Sequence, residues 1–397
     1  MKYDFVSQMD RKGHDASAVD VLPMPGVQVK DGFSVIPMWI ADMNFPTFPG
    51  ILEAVSQRVS QPHFGYFLLP ENYFHRISWW QEHRYGIRGI PRECIGYENG
   101  VLGCVSSAIQ TFTSPGESVL LHSPAYVGFT KVLANNGRQA VFSSLVQDEE
   151  GVWRMDYEDM DRKLRENHIH TAIFCSPHNP AGRVWEREEI EKAMRVYAEN
   201  DCIVISDEIW ADLTLFGNRH IPTQSISQDA RNRTIAAYAP SKTFSLAGLV
   251  GSYHVIYNKR LRDQMEKNSS LSHYNTPNVL SVHALMGAYT PEGAEWTDQL
   301  CQVLGGNVEY ACQYIREHFA GVSLFKPQGT YMLYLDCKKW LADHETNMDD
   351  LLRKGIEVGV VWQDGRPFGC GDTIRMNLAV PFSMLKEAMD RLNRYVF

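Results

Sequence analysis

Three strand-like apolar runs in this 397-residue chain are each followed by a polar residue that can do chemistry. Residues 172–175 lead into Ser176-Pro177-His178-Asn179-Pro180-Ala181-Gly182. Residues 202–206 lead into Asp207-Glu208, and residues 234–238 lead into Ala239-Pro240-Ser241-Lys242-Thr243. In an open parallel sheet, ligands bind beyond the carboxyl ends of the strands. One sheet edge is therefore expected to present Asn179, Asp207 and Lys242 together. A lysine at an apolar edge can lose its proton and form a Schiff base with an aldehyde. A buried aspartate at a strand end can hold a protonated ring nitrogen, and an asparagine amide can donate to a phenolate oxygen. Those are the demands of pyridoxal phosphate, whose electron-sink chemistry needs an acidic partner at the pyridine nitrogen.

A fourth feature belongs with the trio. Asn99-Gly100-Val101-Leu102-Gly103-Cys104 opens a helical stretch that runs to about Phe112. Backbone N–H groups at a helix start, with glycine allowing close approach, make a phosphate cradle. Val101 and Leu102 are the expected amide donors. Cys175 and His178 have a C-x-x-H spacing, but both read as structural. The eight cysteines lie singly and form no C-x-x-C, so neither a zinc site nor a dithiol motif is signalled and no metal is expected.

The elements that must position these residues follow from the hydrophobic pattern. The strand-like runs are 118–122, 172–175, 202–206 and 234–238, apolar throughout rather than alternating, as strands covered on both faces are. Between the second and third, residues 186–199 carry Ile190, Met194 and Tyr197 at helical spacing. Strand, helix, strand makes a βαβ unit with a right-handed crossover, hence a parallel sheet. Further helices are expected over 299–319, near 348–357 and from Ser383 onward, and further strands over 330–336 and 373–378. The class is α/β: a large, mostly parallel sheet with helices on both faces, plus a smaller α/β domain. The expected division is an arm and part of the small domain over 1–49, a large cofactor-binding domain over 50–285, and the rest of the small domain over 286–397. Pro23, Pro25, Pro37, Pro46 and Pro49 keep the arm irregular.

Composition narrows the function classes. The formal net charge of −9 argues against bulk nucleic-acid binding, which needs a positive field. The 18 Phe, 18 Tyr and 9 Trp spread along the chain exclude low-complexity disorder. No apolar run approaches a membrane span, and the first 15 residues, mixed in charge and apolar character, have no secretory h-region. With single, apolar-flanked cysteines, a reducing cytoplasm is the expected compartment.

SPHNPAG, ISDEIW and APSKTFSLAGL, in that order, resemble the motifs of fold-type I pyridoxal-phosphate enzymes of the class I/II aminotransferase family. The resemblance covers roughly 35 to 395. It includes Thr373-Ile374-Arg375-Met376-Asn377-Leu378-Ala379, similar to the family's late strand, and implies that Arg375 binds the substrate carboxylate. Residues 37–45, PMWIADMNF, with SPHNPAGRVW and DEIWADL, resemble the MalY/PatB-type C–S lyases, or cystathionine β-lyases. Asn44 departs from the acid usual there. Val250 stands where many aminotransferases place a phosphate-binding arginine, and Trp210 where they often place a tyrosine; both resemble the lyase branch.

The resemblance implies further roles. Lys242 holds the cofactor and moves the Cα proton, and Asp207 keeps the ring nitrogen protonated. Tyr126 stacks on the ring. Ser241 supports the phosphate, and Tyr66 reaches it from a second subunit. The implied activity is β-elimination from cystathionine, cysteine or related amino acids by a homodimer, giving pyruvate, ammonia and a thiol. Amino transfer is the alternative, since it uses the same cofactor residues. A non-catalytic regulator on this scaffold would call for a DNA-binding domain, which the acidic balance and arm-like start do not suggest.

Overall fold

β-branched and small apolar residues dominate three consecutive segments, and each forms a strand at the centre of one sheet. The computed structural model describes residues 2–270 and 275–397. In chain order the large sheet comprises β1 (Ile95–Glu98), β2 (Ser118–Ser123), β3 (Gln139–Ser144), β4 (Thr171–Cys175), β5 (Ile203–Asp207), β6 (Thr234–Tyr238) and β7 (Ser252–Val255). Across the sheet the order is β1-β7-β6-β5-β4-β2-β3. β7 is antiparallel to both its neighbours, and the remaining pairs are parallel.

The register sets up the site. Cys175 pairs with Asp207, and Asp207 with Ala237, so the three central strands end side by side. The segments that follow them then emerge along one edge.

Strand alternation divides the core between two faces. Val119, Leu121, Ile173, Ile205 and Ile235 pack with Val105 and Ile109 of the helix Val101–Phe112. Leu120, Ala172, Phe174 and Val204 pack on the other face with Met160, Leu164, Ile190 and Met194. The helix Arg187–Glu199 carries that second face, and a reciprocal capping box between Glu186 and Glu189 starts it. The expected helix thus begins one residue later, because Glu186 is the cap.

A second sheet, antiparallel throughout, is built from Ser323–Leu324, Met332–Asp336, Thr373–Asn377 and Gln363–Asp364 in that spatial order. The helices Pro291–His318, Met348–Glu357 and Phe382–Tyr395 accompany it. The first of these starts eight residues before the periodicity at 299. Thr290 caps it and Pro291 occupies N1, signals that a periodicity count passes over. The irregular N-terminal arm is fastened here: Ile36–Pro37 pairs in parallel with Val360–Val361. Among the described residues no helix is long and apolar enough to cross a membrane.

Candidate active site

Lys242 lies in the helical turn Ser241–Phe244 that follows β6. Its Nζ donates to the Ala41 carbonyl oxygen at 3.0 Å and stands 5.8 Å from the Trp210 ring centroid. The surrounding protein pulls the amine down to about 8, first by desolvation and then through the positive Arg375, while Asp42 and Asp207 oppose the shift. At pH 7 about a tenth of the lysine population is therefore uncharged, and the fraction rises steeply toward pH 8; the uncharged form is the one that serves as nucleophile and base.

Asp207, the last residue of β5, is buried. Its Oδ1 accepts from the Ile209 N–H at 3.0 Å. Burial pushes the carboxyl up to about 7, against the lowering effects of that hydrogen bond and Lys242. A cationic N–H in the cavity would reverse that penalty, because an opposite charge favours the ionised acid.

Both residues line a cavity of about 250 Å³, together with Asn179, Tyr126, Ser241, Val101 and Leu102. The structure thus brings seven of the nine sequence-predicted residues to one space. Tyr126 precedes the helix Val127–Asn135. A Cβ at Gly128 would come within 2.4 Å of the Tyr126 ring, so glycine there leaves room for it. The helix Val101–Phe112 has Gly100 at its N-cap with φ +75° and no capping side chain. Its first-turn N–H groups have no partner within the helix, and Asn99 to Gly103 line the cavity.

Arg375 stands just outside that lining and is joined to it through Asn179. Its Nη1 donates to Asn179 Oδ1 at 3.1 Å, and its Nη2 donates to the Trp39 carbonyl oxygen at 3.1 Å and to Gln363 Oε1. Tyr66 is the ninth residue. It is fully exposed and does not line the cavity of its own chain.

Several contributors escaped the sequence reading. The 37–45 motif acts through main-chain oxygens: Ala41 faces Lys242 and Trp39 faces Arg375. Asn377 holds that segment, its Nδ2 donating to the Ile40 and Asp42 carbonyl oxygens, each at 2.7 Å. A carbonyl contact has no residue-type signature, so only the motif as a block could mark it. Asn275 receives the Asn99 N–H at 2.8 Å and donates to Glu98 at 2.6 Å, which fixes the approach to the helix start. Trp362 is fully buried and donates to the Leu352 carbonyl oxygen at 3.1 Å, a packing residue rather than part of the cavity lining.

The donor set fits pyridoxal phosphate. A neutral amine suits its aldehyde, a buried acid its ring nitrogen, an amide at Asn179 its phenolate, and a helix start its phosphate. A lysine and an aspartate at neighbouring strand ends, facing a glycine-started helix across one cavity, define a fold-type I site. The chain belongs to the family of class I and II aminotransferases, whose sequence model matches residues 82–392. It is 31% identical to cystathionine β-lyase PatB of Bacillus subtilis (strain 168), over 90% of this chain and 91% of that one. Its fold matches a PLP-bound putative aminotransferase from Clostridium difficile 630, with TM-score 0.91, 31% identity and full coverage of both chains. It also matches a PLP-bound C–S lyase from Staphylococcus hominis, with TM-score 0.90 and 27% identity, covering 100% of this chain and 98% of that one.

Proposed function

We propose that this chain is a pyridoxal-phosphate-dependent C–S β-lyase that cleaves cystathionine, cysteine or related S-substituted amino acids. The observation that carries the reading is the cavity at the strand ends. It joins a Lys242 with a lowered pKa to a buried Asp207, in a chain similar over nine tenths of its length to a named cystathionine β-lyase. Bound there, the cofactor supplies an aldehyde for the amino group and an electron-withdrawing ring that makes the Cα–H acidic.

The chain's own residues do the rest. Lys242 Nζ would hold the cofactor through its aldehyde, and the same amine is placed to remove the Cα proton of the substrate. Asp207 would keep a proton on the ring nitrogen, and Asn179 would donate to the phenolate. Tyr126 would cover the ring, and the Val101 and Leu102 amides with Ser241 would receive the phosphate. Arg375 anchors the α-carboxylate and so sets which Cα bond is aligned to break. The Cβ–S bond then parts with its electron pair on sulfur, and the remaining three-carbon enamine is hydrolysed to pyruvate and ammonia.

Amino transfer would use the same groups and differs in returning the proton to the cofactor side. What separates the substrates is the leaving group: a thioether sulfur departs from Cβ as a stabilised thiolate, and aspartate has no comparable group there. The same reading makes the enzyme a cytoplasmic homodimer in which Tyr66 serves the neighbouring site. It assigns 50–285 to the cofactor domain, with 1–49 and 286–397 around it.

Incubation with cystathionine and no keto acid tests this. Pyruvate, ammonia and thiol are expected in equal amounts, and Lys242→Ala is expected to abolish all three. Product formation only after keto acid is added would refute the lyase reading.

A further inference from the structure

Arg375 is aimed by the sheet it sits on. Its strand lies between Met332–Asp336 and Gln363–Asp364, and Arg375 stands directly opposite Tyr334 on one side and Gln363 on the other. Directly opposed residues project from the same face. The guanidinium therefore meets Gln363 across the strand pair, with the Phe368 ring 4.8 Å away.

The three acceptors on this guanidinium are all neutral: the Asn179 amide, the Trp39 carbonyl and the Gln363 amide. Arg375 is buried, and among the described residues no carboxylate pairs with it. Its titratable neighbours are Tyr126, Tyr331, Tyr334 and Lys242. Its Nε is buried with no acceptor. An arginine has five N–H donors. Nη2 uses both of its own on Trp39 and Gln363, and Nη1 uses one on Asn179. Nε–H and one Nη1–H remain. A buried cation with spare donors and no counter-ion is unfavourable on its own; an incoming anion relieves it.

We infer that Gln363 is a positioning residue for the substrate carboxylate: its neutral amide fixes the outer edge of the Arg375 guanidinium without discharging it. The full positive charge and the unpaired donors are thereby kept for the ligand. A glutamate in the same place would have the same length and would complete an internal ion pair, competing with the substrate. The inference rests on Arg375 being the carboxylate anchor.

Holoenzyme is titrated with 3-(methylthio)propionate, a carboxylate without an amino group, by calorimetry at pH 8 and pH 5.5. Gln363→Glu is expected to weaken binding at least about tenfold at pH 8. The ratio to wild type should shrink at pH 5.5, because ligand binding then takes up a proton on the new carboxyl. Gln363→Met, which lacks the acceptor but adds no charge, should weaken binding by a few-fold at both pH values and raise KM for cystathionine more than it lowers kcat. Gln363→Glu binding within about twofold of wild type at pH 8 overturns the inference, as does an unchanged KM in Gln363→Met. Arg375→Leu is the control on the premise. Wild-type affinity in that variant overturns the anchor itself, whereas weak binding there beside normal binding in Gln363→Glu overturns only the role of Gln363.

Discussion

Asp207 is an acid in a place that penalises its charge. Burial holds the carboxyl protonated up to about pH 7, while in an unfolded chain it ionises near 4. Between those limits the folded form holds a proton that the unfolded form has lost. Stability from this group is therefore fully present below about pH 4 and is lost as pH rises through about 7. Cofactor-free Asp207→Asn should accordingly be more stable than cofactor-free wild type at pH 8, by an amount on the order of a few kcal/mol. The difference should vanish toward pH 4, as followed by urea midpoints. The same variant should hold the cofactor less tightly, since an amide cannot balance a ring cation. Arg375 makes a second case at this scale. Arg375→Lys keeps a charge but loses the planar fork, and kcat/KM for every amino-acid substrate should fall by roughly 10- to 100-fold in steady-state assays.

At the scale of elements, one glycine shows why the SPHNPAG segment has its shape. Gly182 has φ +68°, and a Cβ there would lie 2.4 Å from Pro327 Cβ. Its carbonyl oxygen accepts from the Gln328 and Gly329 N–H groups at 2.8 and 3.1 Å. The loop that carries Asn179 is thus stitched to the 327–329 segment beside the second sheet. Gly182→Ala combines left-handed strain with overpacking and should cost about 3 kcal/mol, seen as a lower urea midpoint. Much of this scale was legible in advance. The runs at 172–175, 202–206 and 234–238 are almost continuously apolar because both faces are covered, and the residues after them were found by position alone. The strands β1, β3 and β7 were not. β3 carries exposed and half-buried residues, as an edge strand does. β7 reads Ser-Tyr-His-Val, with His254 bonded to Glu98 at 2.7 Å, so its polar content is balanced by a partner far away in sequence. Gln363 was equally hidden, because its relation to Arg375 exists only across a strand pair.

For the whole molecule, the telling surface is the loop after the helix Pro49–Val59. Phe64, Tyr66 and Leu68 are 57, 107 and 91% exposed, an apolar run on a surface that a second subunit would cover. Light scattering should give a dimer at assay concentrations. With the proposed shared site, Tyr66→Phe should loosen the cofactor by several-fold without dissociating that dimer, since the hydroxyl proposed for the phosphate is lost and the ring is kept. A monomer with full activity would exclude a shared site. The central claim is the reaction itself, and a side-by-side rate measurement on the purified holoenzyme tests it most directly. Pyruvate release from cystathionine without keto acid is compared with keto-acid-dependent amino transfer from aspartate. A thiolate is a good leaving group from Cβ, and aspartate carries no comparable group there. Elimination should therefore exceed transfer by at least about tenfold, a barrier difference of only about 1.4 kcal/mol. Amino transfer faster than elimination would contradict the lyase and leave an aminotransferase in its place.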